Sequence, residues 1–263
     1  MKQRIITAVI AAALFLPIVI YGNVPFIILV YVLGSVGLFE ALRMKKISIF
    51  STPGIIGLVL LWAILLPSEL TKDYSIALSK VELVLIAVLL FLTYTVVTKN
   101  KFTFDDVGFM LISILYVGMG FYYFIEIRDA GLAYIFFALF VIWATDSGAY
   151  FIGRSLGKNK LWPEISPNKT IEGSLGGVIC AIVVGLIFYV FVGLEYGVLW
   201  TIIIAILLSI FGQIGDLVES ALKRHYEIKD SGQILPGHGG ILDRFDSLLF
   251  VLPILHFIHL FIF

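Results

Sequence analysis

The chain is divided into apolar stretches of roughly the length an α-helix needs to cross a bilayer's hydrocarbon core, about 20 residues. Nine can be marked: Ile5–Tyr21, Val24–Leu42, Gly54–Leu66, Val81–Val97, Val107–Ile125, Leu132–Ile152, Gly173–Val192, Tyr196–Leu222 and Ser247–Phe263. The third is short and flanked by Pro53 and Pro67, and the eighth is long and carries charge in its last turns. Apolar residues follow one another instead of alternating, which favours helices over a β-barrel. Composition agrees: 60% of the 263 residues are hydrophobic, 14% are charged, and mean hydropathy is +1.07, against roughly 25% charged residues in a soluble domain. The pattern predicts an all-α, polytopic integral membrane protein with about nine transmembrane helices. No repeat or low-complexity linker divides it. A single membrane domain over 1–263 is expected, with 1–106 supplying N-terminal helices and 107–263 the helices and loops that carry the chemistry.

Several classes fall away at once. Lys plus Arg equals Asp plus Glu at 18 each, so net charge gives no reason to expect a nucleic-acid partner. The single Cys180 excludes an intrachain disulfide and a cysteine-based zinc site. Lys2 and Arg4 precede an apolar run as in a signal peptide, but Ile20-Tyr21-Gly22 lacks the small-x-small pattern of a cleavage site. The first segment is therefore expected to remain as a span.

Nine crossings would place fifteen basic residues on the side of the N-terminus and three, Lys72, Lys80 and Arg128, on the other. By the positive-inside rule the N-terminus is cytoplasmic and Phe263 ends outside. The two longest polar connections, Gly153–Glu172 and Lys223–Asp246, then both face the cytoplasm.

Ionisable residues within spans are costly and point to function. Asp146 lies seven residues before Gly153 and Asp216 seven before Lys223, where their segments give way to loop, about 10 Å below those ends at 1.5 Å per residue. Asp216, Glu219 or Ser220, and Lys223 share one helical face. A local Asp–Lys pair that neutralises charge is the plainer alternative. Glu40 and Glu126, near helix ends, read as solvated interface carboxylates.

In the first loop, Gly153 to Lys158 has the wrong spacing and context for a P-loop. Ser166-Pro167 reads instead as the N-cap and first residue of the seventh helix. Lys169 and Thr170 beside that N-terminus would combine a cation with backbone N–H groups, a phosphate site in kind, or else an ordinary cap with an interfacial lysine. In the second loop, Gly237, Gly239 and Gly240 allow close backbone approach to a ligand. Asp243 and Asp246, at i and i+3, would form with Asp216 an all-oxygen cluster suited to Mg²⁺; simple N-capping is the alternative. His238 could be a ligand, but a lone histidine is more often a loop hydrogen-bonding residue, and His256 and His259 carry no catalytic role.

The stretch from Ser220 to Asp246 closely resembles the signature of the phosphatidate cytidylyltransferases. Ser220, Lys223, Arg224, Lys229, Asp230, Pro236, His238, Gly239, Gly240, Asp243, Arg244 and Asp246 fill the pattern without a gap. Asp146-Ser-Gly-Ala-Tyr, Gly153-Arg154 and Ser166-Pro-Asn-Lys-Thr-Ile-Glu-Gly resemble that family too, with Asn168 standing where a second lysine is common. The resemblance implies transfer of CMP from CTP to phosphatidic acid, releasing pyrophosphate, in phospholipid biosynthesis at the cytoplasmic membrane. It implies catalytic roles for Asp146, Lys169, Asp216, Lys223, Asp243 and Asp246. Substrate binding would fall to Ser166, Asn168, Thr170, Glu172, Arg224, Lys229, Asp230, His238, Gly239, Gly240 and Arg244. Mg²⁺ would be held by a subset of Asp216, Asp243 and Asp246, and the small loops leave the chain open to homodimerisation. A polyprenol kinase that uses CTP is the nearest rival. A secondary transporter is a weaker one, because transporters place buried charge near the midplane in paired halves.

Overall fold

The computed structural model describes residues 2–68 and 79–262. Lys72 and Phe263 lie outside them. Nine helices occur among the described residues: α1 (Lys2–Tyr21), α2 (Asn23–Met44), α3 (Thr52–Ile64), α4 (Lys80–Val97), α5 (Phe104–Ala130), α6 (Leu132–Leu156), α7 (Ile171–Phe191), α8 (Val198–His225) and α9 (Leu242–Ile262). All but α1 and α3 are long and apolar enough to cross a membrane by length and composition, and those two contain shorter apolar helices. The chain is an all-α polytopic membrane protein. It packs as two compact units, Met1–Glu126 with Asp230–Leu242, and Ile127–Lys229 with Asp243–Phe263.

The first unit buries Phe26, Leu38, Leu42, Leu61, Phe91, Met110 and Phe121 in its core. Its short α3 is finished by side chains. Ser51 caps the start by accepting from the Gly54 N–H at 3.3 Å, with a proline in the first turn. At the far end the Lys80 ammonium donates to the carbonyls of Ile64 and Leu66 at 2.6 and 3.0 Å, and sits 3.8 Å above the Tyr122 ring. A cation there takes up carbonyls that the end of a 13-residue helix leaves without intrahelical donors. The interface carboxylates are not as expected. Glu126 accepts from the Ser68 N–H and hydroxyl at 3.2 and 3.0 Å, and Glu40 is 1% exposed. Proximity to a helix end in sequence did not reveal the polar groups that another part of the chain brings to them.

In the second unit, α6 and α7 approach through small residues. A Cβ on Gly177 would lie 2.8 Å from the Thr145 carbonyl oxygen, and one on Gly148 would lie 2.9 Å from that of Gly176. Backbones can meet so closely only where side chains are absent. The Thr145 hydroxyl donates to Ser209 at 2.9 Å, tying α6 to α8. The Tyr196 hydroxyl lies 2.8 Å from Nδ1 of His259, which gives that histidine a structural partner.

Three boundaries differ from the sequence reading, and all matter for the site. Helix α6 runs to Leu156 and α8 to His225, so Asp146 and Asp216 lie about 15 and 14 Å from their helix ends. Ser166 is not the N-cap of α7. It opens strand β2 (Ser166–Thr170), which pairs antiparallel with β1 (Lys160–Trp162), Lys160 opposite Thr170 and Trp162 opposite Ser166. The cap is Thr170, extended at φ −125°, whose hydroxyl accepts from the Gly173 N–H at 3.1 Å. Pro167 suits a helix's first turn, but here it sits on a two-stranded ribbon, where a missing donor is tolerated.

Candidate active site

The hairpin carries Lys169 to α8. Its ammonium meets Asp216 at 2.5 Å, both side chains about a third exposed or less. The other Asp216 oxygen accepts from the Ser220 hydroxyl at 3.3 Å, one turn on. Asp146 on α6 interacts electrostatically with both Asp216 and Lys169. These groups open onto a cleft of about 530 Å³ that is also lined by Asn168, Thr170, Gly173 and Gln213. Asp146, Asn168, Lys169, Thr170 and Asp216 thus come together as one polar cleft within the second unit.

Three further lining residues were given no role from the sequence, although Tyr150 and Arg154 fall in the family-like elements. Tyr150 and Arg154 continue the Asp146 face of α6 at i+4 and i+8, and the Arg154 guanidinium donates to the Tyr150 hydroxyl at 3.3 Å. Gln213, three residues before Asp216, donates to the Ser174 carbonyl and the Ser209 hydroxyl, each at 3.4 Å. The signal was helical spacing from an aspartate.

A second cluster centres on Lys223. It pairs with Glu219 one turn back and with Asp243 at 2.6 Å. Glu219 is fully buried, so this lysine is committed to balancing charge away from water. Sequence spacing put Glu219 on the right face without distinguishing it from Ser220. Asp246 accepts from the Ser247 N–H at 2.6 Å, and interacts electrostatically with Asp216, Asp146 and Lys223.

The remaining positions are placed differently. Glu172 accepts from the backbone N–H groups of Lys158 and Asn159 at 3.1 and 3.2 Å and from the Asn159 side chain at 2.8 Å. Its carboxylate folds the loop and does not line the cleft. Arg224 donates to the Ile165 carbonyl at 3.4 Å and so steadies the hairpin. Ser166 lies on β2, while Lys229 and Arg244 are exposed in the same unit. Asp230, His238, Gly239 and Gly240 belong to the first unit, where the His238 N–H donates to Leu235 at 2.8 Å and Gly237 and Gly239 adopt positive φ.

Among the described residues, no three His, Cys, Asp or Glu side chains are grouped closely enough to hold a metal. Asp216 faces Lys169 and Asp243 faces Lys223 in place of a common ligand point. Carboxylate oxygens are nonetheless the donors a hard cation takes, and Asp216 already holds an ammonium.

A cleft with cations over carboxylates suits a polyphosphate. The model of the cytidylyltransferase family matches residues 2–262. The chain belongs to the cytidylyltransferase family. A phosphatidate cytidylyltransferase of Bacillus subtilis (strain 168) is 60% identical over 261 residues, covering 98% of this chain and 97% of that protein. Phosphatidate cytidylyltransferases of Staphylococcus saprophyticus and Staphylococcus epidermidis are 50% and 48% identical over 256 residues, covering 97% of this chain and 98% of each relative. This cytidylyltransferase-family chain is therefore similar to them over its whole length, well beyond the motif-bearing second half.

Proposed function

We propose that the chain is a phosphatidate cytidylyltransferase, joining CTP and phosphatidic acid into CDP-diacylglycerol and pyrophosphate. The observation that carries this is the full-length match to a relative of that name at 60% identity. In the reaction an oxygen of the lipid phosphate attacks the α-phosphorus of CTP. The new P–O bond forms as the bond from the α-phosphorus to the bridging oxygen breaks, and pyrophosphate takes the electron pair. Both reactants are anionic, so the task of the site is to lower their repulsion and align them. Lys169 can exchange Asp216 for a phosphate oxygen, and the N–H groups at the start of α7 lie beside it. Lys223, held by Glu219 and Asp243, is the second fixed cation. Ordered carboxylates hold both ammonium groups in place before substrate arrives.

Mg²⁺ belongs to the same proposal: held by Asp216 and Asp246, with Asp243 as a third candidate, it would supply charge neutralisation at the phosphates. So do an N-terminus on the cytoplasmic side, which the fifteen-to-three basic count supports, and a homodimer, testable by the mass of the purified particle. The deciding assay supplies purified protein with radiolabelled CTP and phosphatidic acid. A lipid-soluble cytidine product with stoichiometric pyrophosphate is expected. Release of CDP with phosphorylated lipid would make the chain a kinase instead.

A further inference from the structure

We infer that Glu40, in the N-terminal half, is a positioning residue for the motif-bearing loop that ends at α9. The carboxylate is 1% exposed on a span-length helix, so it needs strong partners. It finds them about 200 residues away in the chain but inside the same unit. Its two oxygens accept from the backbone N–H groups of Ile241 and Leu242, each at 2.9 Å, and from the Ser231 hydroxyl at 3.1 Å. Ile241 and Leu242 open α9, so the carboxylate takes donors that the helix itself cannot use and meets the positive end of its dipole.

The surroundings are shaped for this contact. A Cβ on Gly232 or on Gly240 would run into the Glu40 carboxylate, and one on Gly37, a turn earlier on α2, would press on Leu242 at 3.2 Å. Glu40 therefore clamps both ends of the segment Ser231–Leu242. Between the clamped ends lies the Leu235–Gly239 bridge with His238 at its turn, and Asp243 follows Leu242 directly. A lost clamp would release the backbone on which Asp230, His238 and Gly239 are displayed. The consequence for catalysis rests on the cytidylyl-transfer reading; the clamp itself does not.

The test uses full-length protein in nanodiscs, with amide hydrogen exchange of the 230–242 segment and steady-state kinetics side by side. Glu40→Gln keeps the size but sets an amide donor against one of the two N–H donors and removes the charge. Exchange across 230–242 should quicken while that of α6 to α8 holds. The kcat/KM for CTP should fall about tenfold or more, as for loss of a charge-assisted hydrogen bond. Ser231→Ala, which leaves the carboxylate in place, should move both readouts in the same direction by less. If Glu40→Gln does not fold, Ser231→Ala and Glu40→Asp carry the same expectations. Unchanged exchange and kinetics in a folded Glu40→Gln protein would overturn the inference, as would uniform quickening over the whole chain, the mark of general stability alone. Wild-type protein that makes no lipid cytidine product would defeat the functional reading, while the exchange arm would still decide the clamp.

Discussion

Lys169 and Lys223 are both ammonium groups held by aspartate, yet their surroundings predict different losses. Lys169 and Asp216 are partly open to the cleft, so Lys169→Ala leaves a carboxylate that water can reach. The protein should stay folded and lose about tenfold or more in kcat/KM, the worth of a charge-assisted contact of roughly 1.5–3 kcal/mol. Unchanged kinetics with both substrates would make Lys169 only an interfacial partner of Asp216. Lys223 balances Glu219, which water does not reach. Lys223→Met should therefore destabilise the fold by about 3–5 kcal/mol, the cost of stranding a buried charge, seen as a lowered thermal midpoint in detergent. Adding Glu219→Gln should recover part of that midpoint without restoring turnover. The metal reading belongs at this scale too: Asp216→Asn and Asp246→Asn should each weaken Mn²⁺ binding, followed by the resonance of the free ion. Equal binding in both variants and wild type would remove these residues as ligands.

The start of α7 shows how far an element could be read from its residues. Apolar runs made the nine helices among the described residues legible because a span must be apolar through its length. Their ends were less legible, since Gly153 to Leu156 and Lys223 to His225 continue as helix after the apolar run has stopped. The hairpin was missed for a related reason: Ser166-Pro-Asn-Lys-Thr contains two credible caps, and choosing between them requires the pairing with Lys160–Trp162. The site was legible where residues share a helix face, as Asp216 and Lys223 do. It was not where a distant segment decides the environment, as for Glu40, or where a loop claims the side chain, as for Glu172. The cap assignment has a direct test. Thr170→Ala should cost about 1 kcal/mol of stability through loss of its bond to the Gly173 N–H. Ser166→Ala should change the thermal midpoint much less. Equal losses would return the helix start to Ser166.

At the scale of the whole molecule, chemistry and charge asymmetry lie on the same side of the proposed topology. CTP is a water-soluble trianion or tetra-anion, and the basic residues that could attract it are those counted on the N-terminal side. The hairpin, the ends of α6 and α8 and the loop before α9 all belong to that side if the crossings alternate. A reversed orientation would put the proposed nucleotide cleft where a cell keeps no CTP, so the proposed function requires this orientation. Single cysteines in a Cys180→Ser background can check it in intact cells with a membrane-impermeant thiol reagent. Lys46, Lys101 and Lys160 are exposed, which makes them better reporters than Lys45, tied to Asp106 at 2.6 Å. Cysteines at these three positions should stay unlabelled until the membrane is opened, whereas one at Lys72 should react at once. The opposite pattern would overturn the orientation. Labelling at Lys46 and Lys101 with protection at Lys160 would mean an error of one crossing between α4 and the hairpin.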